Sequence, residues 1–169
     1  MGPSMTIVRR LLDIIEISLR YSVAVLVLII VLMVATQVIF RYLLAEPIAW
    51  SEEFITLTFQ WLSFFGAALA VRERGHFGVD IFARLLGKKW NKFLKSLNHV
   101  VIIMIGMFMI FYGLRIVENS SAQMYPTLPF SVGTGYLVLP ISGLLVLLME
   151  YLVVLNDSRI LATGEGSHP

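Results

Sequence analysis

The residues best suited to chemistry in this chain are two clusters of charged side chains, separated by one apolar stretch. The first cluster contains Arg41, Trp50, Glu52 and Glu53. Its carboxylates follow Pro47 and stand beside Ser51, which is where a helix would start, so they can interact with the helix dipole. Arg41 can pair with Glu52 or Glu53. We therefore expect this cluster to hold two helix ends together rather than to catalyse a reaction.

The second cluster mixes charges of both signs within a short segment. It consists of Arg72, Glu73, Arg74, Gly75, His76 and Asp80. One interpretation is a solvated charged turn. The other is an ordered latch, in which glycines bend the chain and Asp80 pairs with an arginine, although an exposed pair contributes only about 0–1 kcal/mol.

Other reactive residue types are scarce. Cysteine is absent, which excludes disulfides and thiolate metal sites. Of the three histidines only His99 lies near an apolar stretch, and we expect it to be an interfacial residue rather than a metal or haem ligand. No nucleophile with an adjacent base occurs in a credible context. The sequence thus predicts no catalytic, cofactor-binding or metal-binding residues and no enzyme activity.

The elements that carry these clusters are apolar and long. The chain is 58% hydrophobic and 14% charged, whereas soluble domains contain about 25% charged residues. A helix needs about 20 apolar residues to cross a hydrocarbon core about 30 Å thick. The apolar stretches predict an all-α membrane protein with a single membrane domain, 1–169, and four transmembrane helices at 21–44, 51–71, 96–117 and 134–155.

Two amphipathic segments flank these spans, at 5–20 and 79–87. Either could lie as an interfacial helix along the membrane surface, and residues 5–20 could instead extend span one. After the second segment come Lys88, Lys89, Lys92 and Lys95, interleaved with aromatic residues. Beside a membrane this pattern favours anionic phospholipids over nucleic acid. Residues 158–169 are predicted to form a flexible tail.

The distribution of positive charge predicts the orientation. Of the 13 Lys and Arg residues, all but Arg41 and Arg115 lie near the termini or in the middle loop. Positive charge stays in the cytoplasm, so we expect both termini and the middle loop to be cytoplasmic. The loops at 41–52 and 115–135 then face outward, and the prolines and glycines of the second predict an ordered, irregular connection.

The interior of the predicted spans holds little that could move a solute. A carrier usually needs ionisable groups near the bilayer midplane, and Glu150 lies close to the end of its span. A lone chain of this kind is therefore not expected to transport anything by itself. Gly66 and Ala70 form a small-residue face on span two, which would allow close packing either within this chain or against another subunit.

The order of these motifs resembles a known family. The chain resembles the small, Q-type (DctQ-like) membrane subunit of tripartite ATP-independent periplasmic (TRAP) transporters. The motifs that carry this resemblance are Phe40-Arg41-Tyr42, Pro47, Trp50-Ser51-Glu52-Glu53 and the run from Gly66 to His76 with Val79-Asp80. The resemblance implies a multi-pass protein of the bacterial inner membrane, paired with a separate large permease subunit that holds the substrate and sodium sites.

The same resemblance implies a division of labour. A periplasmic substrate-binding protein would deliver a carboxylate such as a C4-dicarboxylate or sialic acid, and sodium would drive its uptake. The small subunit would widen the static scaffold while the large subunit moves its substrate like an elevator, with no cofactor of its own. Arg41, Trp50, Glu52 and Glu53 would then shape the outer face near the docking surface, and Arg72, Glu73, Arg74, His76 and Asp80 would order the inner loop.

Two other functions remain open at the level of sequence. A small homodimeric multidrug-type exporter would need a membrane-embedded carboxylate, for which Glu53 is the best candidate. A membrane anchor for an enzyme complex would need only the apolar helices.

Overall fold

A computed structural model describes residues 3–46, 48–74 and 88–163 of the chain. Its helices are α1 (Pro3–Tyr42), α2 (Ser51–Arg74), α3 (Lys88–Ser120), α4 (Val132–Tyr136) and α5 (Val138–Thr163). Four segments within them are long and apolar enough to cross a membrane: Leu12–Tyr42, Ser51–Arg72, Ser96–Ser120 and Val132–Leu155. The predicted all-α membrane fold with four spans is confirmed. The predicted amphipathic segment 79–87 lies outside the described residues.

Helix α1 is one continuous rod of 40 residues. The amphipathic segment 5–20 therefore extends span one and does not form a separate helix lying along the membrane. The sequence explains this, because neither glycine nor proline interrupts the chain between Pro3 and Pro47. The helix ends where Ala45 adopts a left-handed conformation with φ of 54°, and the amide of Glu46 donates to the carbonyl of Phe40 at 3.2 Å.

Consecutive membrane spans run in opposite directions, so the bundle has two distinct ends. We call the end where α1 begins and α5 finishes the terminal end, and the end that holds residues 43–50 and 121–131 the loop end. Helix α5 is the central element, because it packs against α1, α2 and α3. In α5, half of the most apolar stretch is buried. In α1, none of the corresponding stretch is buried, so α1 lies at the periphery.

The buried core lies towards the terminal end. It is formed by side chains from three helices, which are Leu12, Leu19, Ala68, Val146, Met149 and Leu152. The apolar face of the N-terminal segment thus packs against protein. These residues lie within the candidate spans, where hydrophobicity gives no drive between helices. Close van der Waals packing therefore holds Leu12 and Leu19 of α1 against α2 and α5.

Helices α3 and α5 approach closely at three of the described glycines, Gly106, Gly113 and Gly143. A Cβ atom added at Gly106 would lie 2.7 Å from Cδ2 of Leu147, and one added at Gly143 would lie 2.8 Å from the carbonyl oxygen of Gly106. A Cβ at Gly143 would clash with backbone, and one at Gly106 would require Leu147 to shift. Close backbone approach of this kind strengthens dispersion contacts between helices in lipid, where hydrophobicity gives no drive.

The loop between α3 and α4 is ordered, as predicted. Met124 and Ser131 form an isolated antiparallel bridge, and the amide of Val132 donates to the carbonyl of Gln123 at 2.8 Å. The rings of Tyr125 and Phe130 meet edge to face with centroids 5.8 Å apart. These contacts fold residues 121–131 back over the loop end of the bundle.

The last helix is longer than the predicted span. Helix α5 continues to Thr163, so residues 158–163, predicted to belong to a flexible tail, are helical. The sequence explains this length, because no glycine or proline occurs between Gly143 and Gly164. Likewise α3 begins at Lys88, ahead of the predicted start of span three.

Candidate functional site

At the loop end an ion pair joins α1 to α2. Nη2 of Arg41 donates to Oε1 of Glu52 at 2.5 Å, and Nε2 of Gln37 reaches the same oxygen at 3.4 Å. The pairing predicted for Arg41 is therefore present, with Glu52. The side chains of Arg41 and Glu52 are 47% and 66% exposed, and an exposed pair contributes at most about 1 kcal/mol. The pair therefore contributes little to the stability of the fold.

Glu53 has a different task from that of Glu52. Its Oε2 accepts hydrogen bonds from the backbone amide of Thr127 at 3.1 Å and from the hydroxyl of Thr127 at 2.6 Å. One carboxylate thereby ties the first turn of α2 to the ordered loop. Sequence reasoning missed this contact, since no local pattern signals a partner so far along the chain. A multidrug-type exporter would need this carboxylate inside the membrane, whereas Glu53 lies at the loop end.

Aromatic side chains complete the loop end. Trp50 is 44% exposed, and its ring meets Phe54 edge to face with centroids 6.0 Å apart. The Tyr125 hydroxyl lies over Gly135, where an added Cβ would be only 2.5 Å away. Burial raises the pKa of the Tyr125 phenol, and the neighbouring Tyr136 and Glu53 raise it further. Tyr125 is therefore a neutral part of this surface at physiological pH.

At the terminal end a carboxylate joins two arginines. Glu16 accepts from Nε of Arg72 at 3.0 Å through one oxygen and from Nη2 of Arg20 at 3.1 Å through the other. Arg72 was predicted to belong to a turn or latch, and the structure shows that it pairs with α1 across the bundle. Glu73 and Arg74 lie in the last turn of α2.

His76 and Asp80, the other members of the inner cluster, fall outside the described residues. The predicted pairing of Asp80 with an arginine stays a prediction. Lys88, Lys89, Lys92 and Lys95 lie in the first turns of α3, at the terminal end, and their predicted contact with anionic lipid also stays a prediction.

A second pair at the terminal end joins α3 to α5. A short hydrogen bond links Nδ1 of His99 with Oε1 of Glu150. The side chains are 24% and 3% exposed respectively, so Glu150 is a buried carboxylate inside a candidate span. Sequence reasoning placed both residues near the same end of the bundle but did not connect them. A buried charge without a partner is very costly, and that cost is the signal that could have predicted the pair.

The small-residue face of α2 divides into two parts. Ala68 is fully buried in the core. No described atom outside its own helix backbone lies within 4 Å of a Cβ added at Gly66, and Ala70 is only partly buried. Among the described residues, no close packing occurs at Gly66, and the tight crossing of α3 and α5 lies at glycines such as Gly106 and Gly143.

The described spans separate charge from the membrane interior. Between the charged groups at the two ends, residues 21–40, 54–71, 100–114 and 132–149 carry no Asp, Glu, Lys, Arg or His. In the same described part of the chain, no three His, Asp or Glu side chains are grouped so that they could hold a metal ion. This arrangement suits a scaffold whose two ends meet water and whose sides meet lipid or protein.

Comparison with known proteins identifies similar chains. A model of the family "Tripartite ATP-independent periplasmic transporters, DctQ component" matches residues 30–159. A putative TRAP transporter small permease protein of Haemophilus influenzae is 25% identical over 126 residues, covering 75% of this chain and 76% of that protein. The sialic acid TRAP transporter small permease protein SiaQ of Vibrio cholerae is 25% identical over 122 residues, covering 72% of this chain and 70% of that protein.

A third relative is much longer. The sialic acid TRAP transporter permease protein SiaT of Haemophilus influenzae is 27% identical over 85 residues, which are 50% of this chain but only 14% of SiaT. The chain therefore spans a small part of that relative.

Proposed function

Because this chain belongs to the DctQ component family of TRAP transporters, we propose that it is the small accessory subunit of a sodium-coupled carboxylate transporter. A separate large permease subunit holds the substrate and sodium sites, and a periplasmic binding protein delivers the substrate. The small subunit widens the static scaffold against which the large subunit moves. It has no cofactor of its own.

One observation carries this proposal: the charged side chains of the described spans lie at the two ends of the bundle. Ion pairs link α1 to α2 at both ends, while the membrane interior is apolar. A sodium ion or a carboxylate crossing the membrane needs polar ligands in place of water. The described part of this chain offers no charged side chain midway. Its polar groups there are uncharged, and they are Thr58, Gln60, Ser63 and Ser142. This supports transport by a partner subunit and a scaffold role for this chain.

The orientation follows from charge. The lysine-rich start of α3 lies at the terminal end, and positive charge favours the cytoplasmic side. The loop end then faces the periplasm. There the Arg41–Glu52 pair, Trp50 and the loop held by Glu53 form an ordered polar surface, which suits docking of the soluble binding protein.

The substrate class is proposed from the relatives. SiaQ and SiaT are named for sialic acid, which carries a carboxylate. Sialic acid is therefore the first substrate to test, and C4-dicarboxylates, which the family resemblance implies, are the second. The residues that select between them belong to the binding protein and the large subunit.

The test is uptake into membrane vesicles under an imposed sodium gradient. Radiolabelled sialic acid or succinate should enter vesicles that contain this chain, the large subunit and the binding protein together. Omission of this chain should abolish or strongly reduce uptake, and collapse of the sodium gradient should do the same. Robust uptake by this chain alone would refute the proposal, and so would full uptake without it.

A further inference from the structure

One side of α3 contacts α5 at regular intervals. His99, Gly106 and Gly113 stand seven residues apart, and seven residues make about two helical turns, so the three share one side of α3. Each meets a residue of α5, and in the same order these are Glu150, Leu147 and Pro140. The two glycine contacts are packed closely and contain no charged group. The polar contact lies at the terminal end of this line.

The polar contact depends on a proton. A hydrogen bond links Nδ1 of His99 with Oε1 of Glu150, and the Glu150 side chain is only 3% exposed. A buried carboxylate needs a compensating charge, which His99 supplies when both of its ring nitrogens carry a proton. With that proton the pair is neutral overall. Without it, the pair holds one uncompensated negative charge inside the protein.

The neighbouring charged groups do not replace this proton. The charged residues that the packed helices carry towards the terminal end, near the level of the pair, are Asp13, Glu16 and Arg20 on α1, Arg72 on α2, Lys95 on α3 and Asp157 on α5. Both arginines bond to Glu16, and in the described part of the chain His99 is the residue bonded to the Glu150 carboxylate. Of all these residue types, histidine is the one that ordinarily titrates between about pH 5 and pH 8.

Water can reach the pair from one side. His99 lies three residues inside the candidate span Ser96–Ser120, and Glu150 lies five residues before the end of Val132–Leu155. At about 1.5 Å per residue, both are within roughly 8 Å of the terminal boundary. The His99 side chain is 24% exposed, so its ring can exchange a proton with water while the carboxylate stays buried.

We propose that the His99–Glu150 pair is a proton-binding site that holds the terminal ends of α3 and α5 together. Loss of the proton as the pH rises leaves a buried negative charge, and the two ends separate while the Gly106–Gly143 crossing stays packed. The proton belongs to the pair as a unit. On the orientation proposed above it comes from the cytoplasm, so cytoplasmic pH sets how rigidly this chain braces its surroundings.

The dependence of thermal unfolding on pH tests the site. Above about pH 6.5 a free imidazole has lost its proton, whereas the folded pair keeps it, so each pH unit raises the unfolding equilibrium constant about tenfold. The melting temperature of the full chain in detergent should therefore fall by about 3–5 °C per pH unit between about pH 7 and pH 8.

A matched pair of variants assigns this slope to the site. Glu150→Gln keeps the shape of the side chain and an oxygen acceptor but removes the charge, so it should abolish most of the slope. Glu118→Gln makes the same change at an exposed position near the other end of α3 and should keep the slope. Equal slopes in the two variants would overturn the proposal.

Spin labels test whether the ends separate. The chain contains no cysteine, so introduced cysteines are labelled specifically. Labels at Asn98→Cys and Tyr151→Cys, on exposed residues beside the pair, should move apart between about pH 6 and about pH 9. Labels at Leu114→Cys and Leu137→Cys, on exposed residues near the loop end, should not. No change in the first pair of labels, or the same change in both, would overturn the proposal.

The outcomes separate the proton site from the proposed function. Both measurements use this chain alone, so a chain that proves dispensable for uptake can still show the site. Conversely, loss of the pH effect refutes the site and leaves the scaffold function untouched.

Discussion

Removal of His99 from the His99–Glu150 pair should destabilise the bundle strongly. Glu150 is 3% exposed and His99 is 24% exposed, so His99→Leu leaves a carboxylate buried without this partner. Loss of one member of a buried pair costs about 3–5 kcal/mol. Because His99 keeps some contact with solvent, we expect the lower end, about 3 kcal/mol.

This cost is measurable as a change in thermal unfolding. For a chain of this size about 1 kcal/mol shifts the melting temperature by about 2–4 °C, so His99→Leu should lower it by about 6–12 °C. The protein contains three tryptophans, and their fluorescence can follow unfolding in detergent. Asn98→Leu, at the adjacent exposed position, is the matched control and should leave the melting temperature almost unchanged.

A double variant isolates the pair. His99→Leu combined with Glu150→Leu removes both polar groups, and replacing a buried pair with apolar residues is often neutral. The double variant should therefore be more stable than His99→Leu alone, with a coupling energy of about 1–3 kcal/mol. If His99→Leu melts like the control, or if the two single effects simply add, the pair does not join α3 to α5 as argued.

Three further predictions concern the ends and the crossing. Arg41→Ala and Glu52→Ala should change the melting temperature little, because an exposed pair contributes about 0–1 kcal/mol. Both variants should nevertheless reduce uptake by the assembled transporter, because assembly or docking is impaired. Normal complex yield and normal uptake in both variants would contradict this. Thr127→Val removes one of the two hydrogen bonds to the Glu53 carboxylate, which costs about 1–3 kcal/mol. The amides of residues 121–131 should then exchange hydrogen faster, while those of α3 are unaffected. Unchanged exchange in this loop would contradict the contact between Glu53 and Thr127. Gly106→Val should destabilise the chain by about 1–3 kcal/mol through overpacking, while Gly66→Ala should have little effect on the melting temperature; similar melting of the two variants would count against the tight crossing.

Much of the fold could be predicted from sequence. An apolar run of about 20 residues must span a bilayer as a helix, since no water is available there to satisfy backbone groups. The four spans follow from local pattern. The ion pair between Arg41 and Glu52 follows from their short separation along the chain. The family likewise follows from an ordered set of motifs between Phe40 and Asp80.

The contacts that assemble the bundle could not be predicted in the same way. Glu16 with Arg72, His99 with Glu150, and Glu53 with Thr127 each join residues far apart in sequence. Which side chains meet depends on which helices are neighbours and on how each is rotated, and an apolar helix with a weak polar pattern leaves both open.

The sequence by itself determined that this chain is a four-span membrane protein, that its charges lie near the ends of the spans and to which family it belongs, because hydropathy, charge and motifs are properties of short segments. Only the tertiary structure decided that α5 lies at the centre, that Gly106 and Gly143 rather than Gly66 make the close crossing and that Leu12 and Leu19 of α1 pack into the core. Those outcomes depend on the sum of many small packing contacts between distant segments, and no short segment contains that sum.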